Sequence, residues 1–235
     1  MMYLTRAVLN KGVSVAALAP LLDPDDPNRA LDAHHRLIWT LFPDRDATRD
    51  FLWRADGRGG FYVLSHRRPA QSGFFLPLES REFAPVMASG DRLSFVLRAN
   101  ATKDRRVSRD RHGRYRNRRV DVVMDALHAV PGQSVLGPER RSERPAMRMQ
   151  IADRVAGTWL RALGQKNGFD VAHLQVEDYS VRKVPRARGA HVTFGLLDIR
   201  GMLSVTQPDV FLVALSKGFG RARAFGCGLM LIRRA

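Results

Sequence analysis

The apolar positions of this chain change period along its length, and each change marks an expected element. Met2–Leu9 is rich in β-forming residues and reads as a first strand. Asp23–Asn28 is a loop containing Asp26–Pro27, the pattern of an N-cap followed by proline at the first helical position. In RALDAHHRLIWTLFPD, Leu31, His34 or His35, Ile38, Leu41 and Phe42 fall at helical spacings, and Pro43 ends the helix. Phe51–Ala55 and Phe61–Ser65 read as strands joined by the turn DGRGG. A short helix is expected over Leu78–Ala88, weakened by Pro85. Asp91–Arg98 sets Leu93, Phe95 and Leu97 at every second position and reads as a strand. Strand, helix, strand, strand, helix, strand is the ferredoxin-like order.

From Arg98 to Arg119 no apolar period survives. Ten of these 22 residues are Lys or Arg and two are acidic, so the stretch reads as a mobile basic loop or linker. Val120–Val130 is again helical in period, and Pro131–Pro145 reads as a loop. Ala146–Leu163 reads as a helix, with Ile151, Val155, Trp159 and Leu163 four apart. Strands near Val171–Val184 and His191–Leu203 flank a basic turn, VPRARGA. Pro208–Ser216 is then a helix and Gly228–Ile232 a last strand. The expected class is α+β with tandem ferredoxin-like (RRM-like) domains. Residues 1–100 form the first, 101–145 a basic linker region, and 146–235 the second. The tandem rests on element order, since no repeat is visible at residue level.

Charge narrows the function. The 235 residues are 45% hydrophobic and 26% charged, values of a folded chain. Lys and Arg total 39 against 23 Asp and Glu, a net charge of +16, and 34 of the cations are Arg. Arginine offers a planar fork for phosphate and a face for stacking on bases. A polyanion such as nucleic acid is favoured over an acidic substrate or a membrane surface. The single cysteine, Cys227, excludes an internal disulfide and a cysteine-based zinc finger. Apolar runs such as Val210–Leu215 are too short to span a bilayer, and Arg6 stands where a signal peptide would be apolar. The expectation is a cytoplasmic chain with no membrane partner.

Three stretches can bear chemistry. His35 lies in AHHRLIWTLFP on the first helix, where it can serve as an acid–base catalyst or simply pack or be solvated. His34 and His35 diverge by about 100° on a helix, a poor arrangement for sharing a metal ion. KGFGRARAFGCGL interleaves Gly218, Gly220, Gly226 and Gly228 with Lys217, Arg221 and Arg223. It follows a helix and precedes a strand, opposite to a Rossmann turn, and it lacks the GK[ST] of a P-loop. No nucleotide cofactor is therefore expected. What remains is a loop whose backbone can approach a phosphate chain, or a plain tight turn. The third stretch is the hairpin tip with Arg182, Lys183, Arg186 and Arg188, joined by Arg36, Arg98, Lys103, Arg105 and Arg106 as RNA-binding candidates. No GxSxG, HExxH or paired CxxC occurs, and no metal site is expected.

Several stretches together resemble the CasE family, the CRISPR-associated endoribonucleases of type I-E systems. They are the opening MYLTRAVLN, then HRLIWTLFPDRDATRDFLWR, then RLSFVLRANATK with Ala101 where the family motif has proline, and GLLDIRGMLSVTQPDVFLVALSKGFGRARAFGCGLMLI. The resemblance implies two ferredoxin-like domains, binding of a CRISPR repeat hairpin, and metal-independent cleavage at its 3′ base. It also implies retention of the crRNA within the Cascade complex, beside other Cascade subunits. The family's catalytic histidine stands four residues before a Trp, which maps the role to His35 before Trp39. Some members have a Tyr where this chain has Asp32. The family's basic hairpin corresponds to Arg182–Arg188. The alternatives are a non-catalytic RNA-hairpin-binding subunit and a basic ribosome-associated protein.

Overall fold

The computed structural model describes residues 1–12, 15, 17–44, 48–109, 111, 115–129, 144–185 and 190–235. Two four-stranded antiparallel sheets, each packed with helices, make an α+β molecule. The first sheet contains β1 (Tyr3–Val8), β2 (Phe51–Ala55), β3 (Gly60–Ser65) and β4 (Glu79–Glu82), in the order β2-β3-β1-β4. A single turn, α1 (Ala19–Leu22), precedes α2 (Pro27–Trp39). The β2–β3 turn forms as its sequence dictates. The Asp56 carboxylate accepts from the amides of Arg58 and Gly60 at 2.7 and 2.9 Å, and Gly57 and Gly59 both take φ of 79°.

The second sheet contains β5 (Arg92–Ala99), β8 (Phe169–Pro185), β9 (His191–Val205) and β10 (Met230–Arg234), in the order β10-β5-β9-β8. Between β5 and β8 come β6 (Thr102–Arg109), β7 (Tyr115–Asp121), α3 (Val122–His128) and α4 (Arg144–Lys166). The helix α5 (Pro208–Lys217) precedes β10. Counted along the chain, β5, β8, β9 and β10 lie in the order fourth, first, third, second, with α4 and α5 as crossovers. This is the complete ferredoxin-like arrangement. Its core joins Leu93, Phe95 and Leu97 of β5 to Leu197, Ile199 and Leu203 of β9, Ala156 and Leu160 of α4, and Phe211 and Leu215 of α5.

Three expectations change. Asp91–Arg98 does not close the first sheet; as β5 it pairs with β9 and β10 of the second. The helix expected over Leu78–Ala88 is the edge strand β4, paired to β1. Pro77 and Pro85 bracket it and lack amide donors, and its charged ESRE sequence suits a solvated sheet edge, where Glu79 pairs with Arg6 at 3.0 Å. The basic stretch within 98–119 is no loop. It is the β6–β7 hairpin, registered from Thr102↔Asp121 to Arg109↔Tyr115. It shows no apolar period because its described side chains from Lys103 to Arg106 and from Asn117 to Arg119 are exposed, and backbone pairing needs no buried face. The loop expected over Pro131–Pro145 lies outside the described residues up to 143, and the chain is helical from Arg144.

The two sheets meet through apolar and ionic contacts. Met2, Leu52 and Leu64 of the first half pack with Leu229, while Leu31 of α2 packs with Val184, Phe194, Leu196, Phe225 and Cys227 of the second. Asp198 on β9 receives Arg98 through two bonds of 2.9 and 2.8 Å and Arg54 of β2 at 3.3 Å. All three side chains are largely withdrawn from water. No helix among the described residues is long and apolar enough to cross a membrane.

Candidate active site and nucleic-acid interface

Helix α2 is built by its sequence. Asp26 accepts the Asn28 amide at 2.8 Å as N-cap, and Pro27 opens the first turn. One face, Leu37 and Ile38, buries into the first core with Leu41 and Phe42. Another face carries Leu31, packed on Val184 and on Phe225 of the 3₁₀ turn Arg223–Phe225. His35 lies one turn after Leu31 on that side. The Trp39 indole N–H donates to His35 Nε2 at 3.3 Å, with the rings 6.3 Å apart and nearly perpendicular. This donor makes Nε2 the acceptor nitrogen, so a neutral His35 carries its proton on Nδ1.

The adjacent His34 is different in kind. Its ring stands edge-on to Phe61 at 4.9 Å and to Trp53 at 6.2 Å, and its Nε2 lies 2.8 Å from Asp23 Oδ1. It ties α2 to the loop before it and packs on the first core. The two histidines divide into one packed on the first core and one held by the Trp39 indole.

The glycine-rich segment is shaped by backbone necessity. Gly218, Gly220, Gly226 and Gly228 have φ of 74°, 77°, 74° and 94°, in the left-handed region that disfavours other residues. A side chain at Gly226 would strike the Trp53 indole, and one at Gly220 would strike the Asn100 carbonyl oxygen. The loop is latched by Gly228 N–H to Arg98 O at 2.7 Å, Phe219 N–H to Gly228 O at 2.9 Å and Arg221 N–H to Asn100 O at 3.1 Å. These glycines let the loop lie flat against Trp53 and Asn100. Its cations are Lys217, exposed at the end of α5, Arg221, exposed, and Arg223, half-buried with one bond to Gly218 O at 3.1 Å.

Arg223 has neighbours of its own sign. Burial, and then the field of Arg221, holds its guanidinium below the usual arginine range. Burial and Arg223 do the same to Arg49, which stands just before β2. None of Arg49, Arg221 and Arg223 forms an ion pair among the described residues. These cations repel one another, and the carboxylate in the field of Arg221, Asp104, is already paired with Arg119, so the cluster is a site that an anion would stabilise. Arg49 is the residue that sequence reasoning missed. Nothing in RDATRDF distinguishes it from Arg45, and its place beside Arg223 appears only in three dimensions.

The other candidates are placed as follows. Arg98 is committed to Asp198 in the buried contact between the sheets. Arg36 is exposed on α2 and pairs with Asp32 at 2.7 Å. Lys103 and Arg105 both grip Asp125 of α3, at 2.8 and 2.7 Å, and Arg106 lies over the Tyr115 ring at 4.8 Å. These three stand on the β6–β7 hairpin rather than beside α2. Arg182 and Lys183 lie near the outer end of β8, where the Lys183 amide donates to Asn28 Oδ1 at 3.0 Å and so joins the hairpin to the start of α2. Arg186 and Arg188 lie outside the described residues. The structure thus assembles three of the sequence candidates: the helix of His35, the Lys217–Gly228 loop and the outer end of β8 with Arg182 and Lys183. Among the described residues no three His, Cys, Asp or Glu side chains converge as metal ligands would.

A family model described as CRISPR associated protein matches residues 2–234. The chain is similar to the CRISPR-associated endoribonuclease Cse3 of Thermus thermophilus, with 26% identity covering 98% of this chain and 99% of that protein. It is also similar to the CRISPR system Cascade subunit CasE of Escherichia coli, with 26% identity covering 86% of this chain and 92% of the other. Among solved structures, a Cse3 endoribonuclease bound to a 19-nucleotide RNA superposes with a TM-score of 0.63 at 20% identity, covering 99% of this chain and 100% of the other, which establishes the tandem ferredoxin-like fold.

Proposed function

Because this chain belongs to the CRISPR-associated protein family of Cse3 and CasE over nearly its whole length, we propose that it binds the hairpin of a CRISPR repeat RNA and cuts the precursor at the 3′ base of that hairpin. One observation carries the reading. The helix bearing His35 packs against a glycine-rich loop whose arginines, joined by Arg49, form no ion pair among the described residues.

The chemistry follows from those groups. The RNA supplies its own nucleophile, the 2′-hydroxyl beside the scissile phosphate. His35 takes the proton from that oxygen through Nε2, once the 2′-hydroxyl has replaced the Trp39 N–H at that nitrogen's one lone pair. The 2′-oxygen bonds to phosphorus and the bond from phosphorus to the 5′-oxygen breaks. The leaving oxygen receives a proton from imidazolium or water. Arg223, with Arg221 and Arg49 beside it, stabilises the charge that builds on the phosphorane. The route needs no metal ion. Arg182 and Lys183, with Arg186 and Arg188 beyond them, contact the phosphates of the hairpin stem, since double-stranded RNA is read largely through its shape and backbone. The protein acts in the cytoplasm and stays on its product as a Cascade subunit, a reading supported by its similarity to the CasE subunit.

Incubation with the cognate repeat RNA in excess EDTA, followed by mass spectrometry of the ends, tests this. A 2′,3′-cyclic phosphate, or the 3′-phosphate it opens to, and a 5′-hydroxyl are expected. A 5′-phosphate product, or activity that returns only with added magnesium, would overturn the mechanism. Binding without any cleavage would leave a hairpin-holding subunit.

A further inference from the structure

A groove of about 530 Å³ lies between α4 and the start of the β6–β7 hairpin, away from the helix of His35. Its floor is the Trp159 indole with Val155 and Leu163, and its rim carries Arg154, Lys166 and Lys103. Among the described residues no carboxylate lines it. Lys103 is held by Asp125, whereas Arg154 and Lys166 form no ion pair among the described residues. The apolar residues lie on a stripe of α4 beside the one that fills the core, Ala152, Ala156 and Leu160. The groove is thus a half-covered aromatic surface edged by cations.

It is also continuous with the glycine-rich loop. Gly220 packs on the Trp159 ring, and Arg221 is bonded to Asn100, three residues before Lys103. The cations therefore run from Arg223 and Arg221 around Asn100 into the groove. The acids described beside this path are already engaged, Asp104 with Arg119 at 2.9 Å and Asp125 with Lys103 at 2.8 Å. An aromatic floor with a cationic rim suits unpaired nucleotides. A base stacks on the indole while the rim meets its phosphates. A duplex cannot use such a floor, because its bases are already stacked.

We propose that this groove binds single-stranded RNA flanking the hairpin, one base stacking near Trp159 and the adjoining phosphates meeting Arg154 and Lys166. This rests on the proposed function, since the hairpin must first be bound. An acidic protein segment is the competing occupant. It is disfavoured because it has no use for the indole and because the surface continues from the proposed phosphate site.

The test compares a bare repeat hairpin with hairpins extended by unpaired nucleotides on the 5′ or the 3′ side, each carrying a 2′-deoxy nucleotide at the scissile position to block cleavage, by fluorescence anisotropy at one salt concentration. The full-length protein should bind one extended form about tenfold more tightly than the bare hairpin, the scale of one stacked base plus phosphate contacts. Arg154→Glu/Lys166→Glu should bind the bare hairpin as the parent does and lose most of that increment, and Trp159→Ala should behave alike. The double charge variant covers the case in which loss of Trp159 perturbs the fold beneath Gly220. No increment in the parent, or an increment that survives both variants, would overturn the inference. So would loss of assembly with other Cascade subunits while the increment persists, which would assign the groove to a protein. Failure of the parent to bind the bare hairpin would instead strike the proposed function, and this inference with it.

Discussion

His34 and His35 are chain neighbours of one residue type, and the fold gives them unlike work. His34 spends its ring on Phe61 and Trp53 and its Nε2 on Asp23. His35 keeps Nε2 as an acceptor under the Trp39 N–H. In the proposed mechanism Trp39 is a positioning residue. Trp39→Phe keeps an aromatic ring beside Phe51 but removes the donor. The expected result is a single-turnover cleavage rate several-fold to about tenfold lower, with hairpin affinity unchanged, because the resting imidazole is then less firmly held with Nε2 unprotonated. The His35 imidazole ¹⁵N shifts should also move toward a mixture of tautomers. An unchanged rate together with unchanged shifts would show that the indole only packs. The pairing of His35 with Trp39 was legible in HRLIW, because positions four apart share a helix face. The packing of His34 was not, because Asp23, Trp53 and Phe61 come from other elements.

Element boundaries were most legible where side-chain period and special backbone residues agreed. The Asp26–Pro27 cap, the DGRGG turn and the Ile151–Leu163 period all correspond to observed elements. The β6–β7 hairpin was not legible, because it stands on backbone pairing and on ion pairs such as Asp104–Arg119 rather than on a buried face. The sheet to which β5 belongs was likewise hidden, since its alternation would serve either sheet. What ties β5 to the first half is Asp198, which holds Arg98 of β5 and Arg54 of β2. Asp198→Ala should destabilise the protein by about 3 kcal/mol, because two partly buried cations would then face each other without a counter-charge. Urea unfolding followed by far-UV circular dichroism measures this, and a change under about 0.5 kcal/mol would show the contact to be dispensable.

At the scale of the molecule, function depends on what the two halves bring to their junction. The first half supplies α2 and Arg49, and the second supplies the glycine loop and the long β8–β9 hairpin. Charge composition already pointed to a polyanion, with 39 cations against 23 acids. It could not say which cations were spent internally. Arg98, Arg105 and Lys103 are paired to carboxylates, while Arg49, Arg221 and Arg223 are not. The difference is one of three-dimensional neighbours and has no local sequence signal.

The most direct test of the central claim separates binding from cleavage at His35. Wild-type protein and His35→Ala are mixed with the cognate repeat RNA, and affinity and single-turnover cleavage are measured side by side. The account predicts that both bind with affinities within about twofold, while cleavage by His35→Ala falls by about 10²-fold or more, the scale of a lost general base. A His35→Ala protein that cleaves at the wild-type rate would contradict the account.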